Sequence, residues 1–194
     1  MIFEGYDAFN DPYVYPGTSV LKNLLDIQDV QTLEAFEIEI STLRAEEALP
    51  AGHLDVAHYC SVHHHLFQDV YAWAGTYRTV RTAKGGNMFC YPEHISTQMD
   101  QLFGSIKNGS IFQIQKTEDF VRRLAEFLAE LNAIHPFREG NGRTQLAFIG
   151  LIAETFKQPL QLERLNRETF IPAMIRSFNS DLNPLIAELM LLRS

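Results

Sequence analysis

His135-Pro136-Phe137-Arg138-Glu139-Gly140-Asn141-Gly142-Arg143-Thr144 is richer than a corner between two helices requires. Such connections normally need a few residues and one glycine. Here Gly140 and Gly142 flank Asn141 immediately before a helix, which lets successive backbone N–H groups converge into an anion-holding nest. Arg143, in the first turn of that helix, adds a guanidinium whose fork matches phosphate. Glu139 supplies a hard oxygen, and a carboxylate beside bound phosphates is the usual way Mg²⁺ is held. His135, at the other lip, is the side chain best suited to take a proton near neutral pH. Pro136 and Phe137 pin the loop against the core. Each residue alone has an ordinary structural explanation. A base, an acid, a nest and an arginine gathered in one short segment point instead to phosphoryl or nucleotidyl transfer.

The segments on either side of this loop are the best helices in the sequence. Over 117–134, Phe120, Leu124, Phe127, Leu128 and Leu131 build one apolar stripe. Thr117 is the expected cap, with Glu118 and Asp119 in the first turn. From Leu146 to Lys157 the chain is nearly all apolar and reads as a buried central helix. Further out, helices are expected over Val30–Leu49, Asp55–Tyr71, His94–Lys107, Thr169–Ser180 and Pro184–Leu192. In the first of these, Val30, Leu33, Phe36, Ile40 and Leu43 would face inward, and Glu34, Glu37 and Arg44 would face water. In the second, Val62, Leu66 and Val70 share a face. Residues 77–91 differ: Tyr77, Thr79 and Val80 have strand chemistry, Gly85-Gly86-Asn87 is a turn cluster, and Met88–Tyr91 returns, so a β-hairpin is expected. Residues 1–25, with Asp11-Pro12 and Pro16-Gly17, read as an extended arm. The fold class is all-α with one short hairpin.

With 194 residues the chain suits one domain with a real core. A net charge of −8 argues against a broad phosphate-neutralising surface, so nucleic acid is not expected as a direct partner. No apolar run approaches the ~20 residues that span a bilayer, and the N-terminus lacks the pattern of a signal peptide. Cys60 and Cys90 make no disulfide framework. A cytoplasmic location is expected.

The run HPFREGNGRT resembles the Fic (filamentation induced by cAMP) motif, usually written HxFx(D/E)GNGRxxR. The likeness extends over nearly the whole chain. DPYVYPGT (residues 11–18) resembles the arm of small bacterial Fic proteins, as does HHHLFQDVYAWAG (residues 63–75), followed by the hairpin at Lys84-Gly85-Gly86. The resemblance implies a single Fic domain over 1–194, with a helical core, a hairpin "flap" at 77–91 and an active-site segment at 135–146. It implies a nucleotidyltransferase that moves AMP from ATP onto a Ser, Thr or Tyr hydroxyl of a target protein. His135 matches the base that deprotonates the hydroxyl, and Glu139 the Mg²⁺-binding acid. Gly140, Asn141 and Gly142 match the anion hole, Arg143 the β-phosphate contact, and Phe137 the core anchor. Lys84 and Gly85 stand where they can approach the nucleotide. Phe89 and Met88, in the flap, would hold the target extended by β-augmentation. The small relatives are toxin-like, and a separate small antitoxin is an implied partner; delivery into a host cell is the alternative for an effector.

One position departs from the motif. The second arginine, which contacts the γ-phosphate, is Leu146 here. Losing such a charge-assisted contact costs about 1.5–3 kcal/mol. That keeps open a different phosphate-containing donor, or a Fic fold retained as a binding module. An inhibitory (S/T)xxxE(G/N) helix has its nearest match in Thr42–Glu47, which ends in Glu and reads as ordinary amphipathic helix. His63, His64 and His65 project about 100° apart on a helix and cannot converge on one ion; His63 is expected to be buried and hydrogen-bonded. Arg78, Arg81 and Lys84 read as the solvated face of the hairpin.

Overall fold

The computed structural model describes residues 11–107, 112, 114 and 116–193. Residues 1–10 of the expected arm lie outside them. The elements in chain order are α1 (Val30–Glu46), α2 (Val56–Phe67), β1 (Ala83–Lys84), β2 (Asn87–Met88), α3 (Pro92–Lys107), α4 (Thr117–Ile134), α5 (Asn141–Thr155), α6 (Arg167–Phe178) and α7 (Asn183–Leu191), with a 3-10 turn at Leu162–Arg164. The all-α class with a small hairpin holds.

Helix starts follow local chemistry. Asp29 accepts the Thr32 N–H, Asp55 the His58 N–H and Asn166 the Glu168 N–H, each satisfying an orphan donor. α4 differs from expectation: Lys116 stands at the cap without a side-chain bond, and Thr117 is the first helical residue. α4 is the centre of the bundle and packs against α3, α5, α6 and α7. Its expected stripe is buried throughout. α5 lies between α2 and α4 and seats Phe148, Ile149 and Ile152 in the core.

Several boundaries move. α1 ends at Glu46, where Glu47 turns extended with its N–H on the Arg44 carbonyl. α2 ends at Phe67, and Val70 and Tyr71 stay buried in the turn that follows. α5 begins at Asn141, five residues before the apolar run, because Gly140 turns the chain in the left-handed region. The hairpin pairs only Ala83 with Met88 and Lys84 with Asn87. Gly85 and Gly86 both have positive φ, 55° and 81°, the two-residue turn whose twist suits antiparallel strands.

The face of α1 is also corrected. Val30 and Leu43 are about half exposed, whereas Leu33, Glu37 and Ser41 are buried. Periodicity of apolar residues put Glu37 in water; a specific cation brings it inside.

Candidate active site

The loop begins where α4 ends. His135 is the C-cap, at φ 50° and ψ 62°, with its N–H on the Leu131 carbonyl. Glycine usually holds this left-handed position. Here a buried arginine supports it. Arg78 donates from Nε to the His135 carbonyl (2.8 Å), from one Nη to Val80 (2.7 Å), and from the other to Cys90 (2.5 Å) and Ile134 (3.2 Å). Its own N–H donates to Pro136 at 2.9 Å. The expectation of a solvated Arg78 therefore fails: carbonyls at the end of a helix attract a cation and leave no donor for water to claim. Arg81 does face solvent, over the Tyr91 ring and 3.5 Å from Glu93.

The turn into α5 is stitched internally. Asn141 is fully buried; its Nδ2 donates to the Phe137 carbonyl (2.8 Å) and its Oδ1 accepts the Phe137 N–H (3.0 Å). The side chain thus shapes the loop and is spent on its backbone. Thr144 makes the first helical bond, to Gly140, so the amides before it point out of the helix end. Gly140 has φ 80°, and a Cβ there would lie 2.4 Å from the Phe67 ring. Gly142 is exposed, and a Cβ there would meet nothing within 4 Å. Packing explains the first glycine and not the second. Phe137 is fully buried, stacked on His63 at 3.7 Å between ring centres.

Glu139 keeps about 30% of its side chain exposed, and its Oε1 accepts the Gly140 N–H at 2.8 Å. Burial and the nearby Glu37 carboxylate push its pKa up, opposed by that N–H and by Arg143 and Arg138. Behind it, His63 Nδ1 accepts the Gly75 N–H (2.8 Å), which leaves the proton on Nε2 to donate to the Glu139 carbonyl (3.0 Å). Burial holds the His63 pKa down at about 3, so it stays neutral. Its neighbours turn elsewhere: His64 Nδ1 bonds the Ala74 carbonyl and His65 Nε2 the Arg44 carbonyl.

Arg143 faces α1. It pairs with Glu37 Oε1 and donates to Ser41 Oγ at 2.8 Å, while the other Glu37 oxygen accepts from Tyr71. The guanidinium lies over the Phe67 ring and 3.9 Å from Glu139. Arg138 is held by Asp11 of the arm at 2.6 Å, both side chains buried. None of Glu37, Ser41, Tyr71 or Asp11 was found from sequence. The signal for Glu37 was its spacing of four from both Leu33 and Ser41, which puts it on the buried side.

His135 is 5% exposed; burial and then the Arg78 charge lower its pKa to about 3, with Lys84 and Arg138 acting the same way and a hydrogen bond to the Asn132 backbone opposing. Phe89 is buried against the His135 ring, while Met88 is half exposed. Lys84 and Gly85 are exposed at the hairpin tip. Outside β2, an open groove of about 430 Å³ runs along Met88–Tyr91 and α4. Leu146, one turn after Arg143, is half buried and packs on the hydrophobic core.

The Fic/DOC family model matches residues 53–153. The chain belongs to the Fic/DOC family. It is 48% identical over 185 residues to the probable protein adenylyltransferase y4lH of Sinorhizobium fredii, covering 95% of this chain and 96% of that protein. It is 32% identical over 178 residues to the probable protein adenylyltransferase Fic of Escherichia coli, covering 90% and 88%. The Bartonella type IV secretion effector BepA superposes with a TM-score of 0.85 at 27% identity, over 94% of this chain and 68% of that one. BepC of Bartonella tribocorum, solved with AMPPNP bound, gives 0.84 at 22% identity over 94% and 96%, which speaks for the fold. This Fic chain thus carries the family's helical core and hairpin across its described length.

Proposed function

We propose that this chain, one Fic domain over residues 1–194, is a protein adenylyltransferase that transfers AMP from ATP to a Ser, Thr or Tyr hydroxyl of a target protein. The observation that carries the reading is the α4–α5 corner, which carries His135 at the end of α4 and Glu139, Gly142 and Arg143 around the start of α5, with Arg143 3.9 Å from Glu139. The 48%-identical relative named for this activity supports it. The acceptor oxygen attacks the α-phosphorus, the bond to the β-phosphate side breaks, and pyrophosphate leaves. His135, kept neutral by its surroundings, takes the hydroxyl proton. Backbone N–H groups at the start of α5 hold phosphate oxygens. Arg143 reaches the β-phosphate, and Lys84 and Gly85 lie at the edge of the nucleotide. Phe137 anchors the loop.

Glu139 fits Mg²⁺ binding: it is a partly exposed carboxylate beside a helix start, the donor set of an ion that takes one protein oxygen and completes its shell with phosphates and water. Such an ion neutralises charge on the phosphates. The target would lie along Met88 and Phe89 at the flap. We place the reaction in the cytoplasm, of the producing cell or of a host, with a separate small antitoxin as its control. Among the described residues no helix is long and apolar enough to cross a membrane.

The test is labelling of bacterial lysate with α-³²P-ATP and Mg²⁺. Wild type should label a protein band that His135→Ala abolishes. Label from Leu146→Arg alone would mean a site detuned at the γ-phosphate. No label from either would overturn ATP as the donor and favour another phosphate-containing donor, which the missing second arginine keeps as the alternative reading.

A further inference from the structure

Arg78 lies outside the motif. Its side chain crosses from the root of the flap to the root of the catalytic loop, wholly inside the protein at 2% exposure. Two of its carbonyl partners, Ile134 and His135, are at the end of α4; the other two, Val80 and Cys90, are on the segments leading into and out of the hairpin. Helix ends leave carbonyls without intrahelical donors, and a planar fork with five N–H groups can serve two directions at once. Backbone bonds complete the joint: Arg78 N–H to Pro136, and Cys90 N–H to Ala133 at 3.1 Å.

The geometry points to Arg78 as a positioning residue that locks the flap and the His135 turn into one rigid unit, so that a target strand seated on the flap is held in fixed register with the base. Such support favours His135 at φ 50°, a left-handed conformation uncommon for residues other than glycine. The stacked rings of Phe89 and His135 lie across the same joint. A lysine at position 78 reaches one group of carbonyls, not both. This inference rests on the reading of His135 as the base, yet its test follows ring geometry and not proton transfer, so the two fail separately.

The experiment is ¹H–¹³C NMR of the His135 imidazole, assigned by comparison with His135→Ala, in wild type, Arg78→Met and Arg78→Lys. Stacking under Phe89 gives the wild-type His135 ring protons an upfield displacement, which is expected to collapse in both variants while each still melts cooperatively. Amide exchange at Cys90 is expected to accelerate roughly tenfold or more relative to the α5 core in both. Wild-type ring shifts and Cys90 protection in either folded variant would overturn the proposal. Should Arg78→Met not fold, Arg78→Lys and native-state exchange of the wild type decide: Arg78, Cys90 and His135 amides should open together, and a Cys90 amide opening roughly 100-fold more often than His135 would break the unit apart.

Discussion

The Phe89 ring lies flat on the His135 imidazole, with ring centres 3.9 Å apart and planes within 13°. The imidazole is thus roofed by a buried side chain of the hairpin segment. Phe89→Ala removes the roof. A fully buried Phe→Ala costs about 3–5 kcal/mol, and this edge site is expected at the lower end. Solvent then reaches the imidazole, so its pKa rises from about 3 toward the ordinary histidine value. Thermal denaturation and histidine NMR titration check both effects.

Two neutral buried histidines set the acid side of the stability curve. His63 and His135 both have folded pKa values near 3 against about 6.5 in the unfolded chain. Between those limits only the unfolded state takes up the protons. Stability contributed by each group is therefore complete above pH 6.5 and falls by about 1.4 kcal/mol per pH unit below it. Urea unfolding at pH 7, 6 and 5 should show the loss, and His63→Phe, which leaves His135 in place, should roughly halve its slope. His135 itself stays unprotonated throughout, so transfer activity should show no limb at pH 6.5 from it.

Gly140 and Gly142 should separate folding from binding. Gly140→Ala meets the Phe67 ring and a φ of 80°, and should destabilise by roughly 2 kcal/mol or more. Gly142→Ala meets open space and should leave the melting temperature unchanged or raise it, by up to about 1 kcal/mol in stability. Its added methyl stands where phosphate would approach, so calorimetric ATP affinity should fall. Equal ATP affinity in Gly142→Ala and wild type would remove the helix start from the binding site.

Leu146→Arg restores the second motif arginine at the expense of a half-buried apolar contact. The gain of one charge-assisted bond, about 1.5–3 kcal/mol, corresponds to roughly ten- to hundredfold tighter ATP binding. ADP lacks the γ-phosphate and should bind as before. Calorimetry with both nucleotides distinguishes a specific γ-phosphate contact from a general rise in positive charge, which would tighten both.

Glu37→Gln removes the carboxylate that holds Arg143 and receives Tyr71. Arg143 keeps about a third of its side chain in solvent, so screening limits the loss to about 1–2 kcal/mol, below that of a wholly buried pair. Relieved of a neighbouring charge, the Glu139 carboxyl should titrate lower. Tyr71→Phe, which spares the ion pair, should cost less in the same denaturation assay.

The motif loop and the two helices beside it were legible because they obey local rules: a clean stripe on α4, a continuous apolar run in α5, glycines at a turn. The hairpin was legible from Gly85-Gly86 but not its extent, since beyond β1 and β2 the two arms are joined by the Phe89 N–H on the Thr82 carbonyl and by the Arg78 side chain on Val80 and Cys90. What sequence reasoning misjudged were charges that change sides when a partner appears. Glu37 and Arg78 look like surface residues by type and phase. Arg143 draws one inward, and the carbonyls at the end of α4 draw the other. Neither partner is near in sequence, and pairing of that kind leaves no period to count.

That separation has a bearing on when activity can arise. The corner at 135–144 takes its shape from Asp11, Glu37, His63 and Arg78, contacts spanning 127, 106, 76 and 57 positions along the chain. Contacts of such reach close late in folding, after local helices have formed. A chain still emerging from the ribosome holds all four partners before it holds the motif, and the motif has no geometry of its own until it docks on them. Competence to modify other proteins is therefore the last property this molecule acquires and the first it loses on partial unfolding.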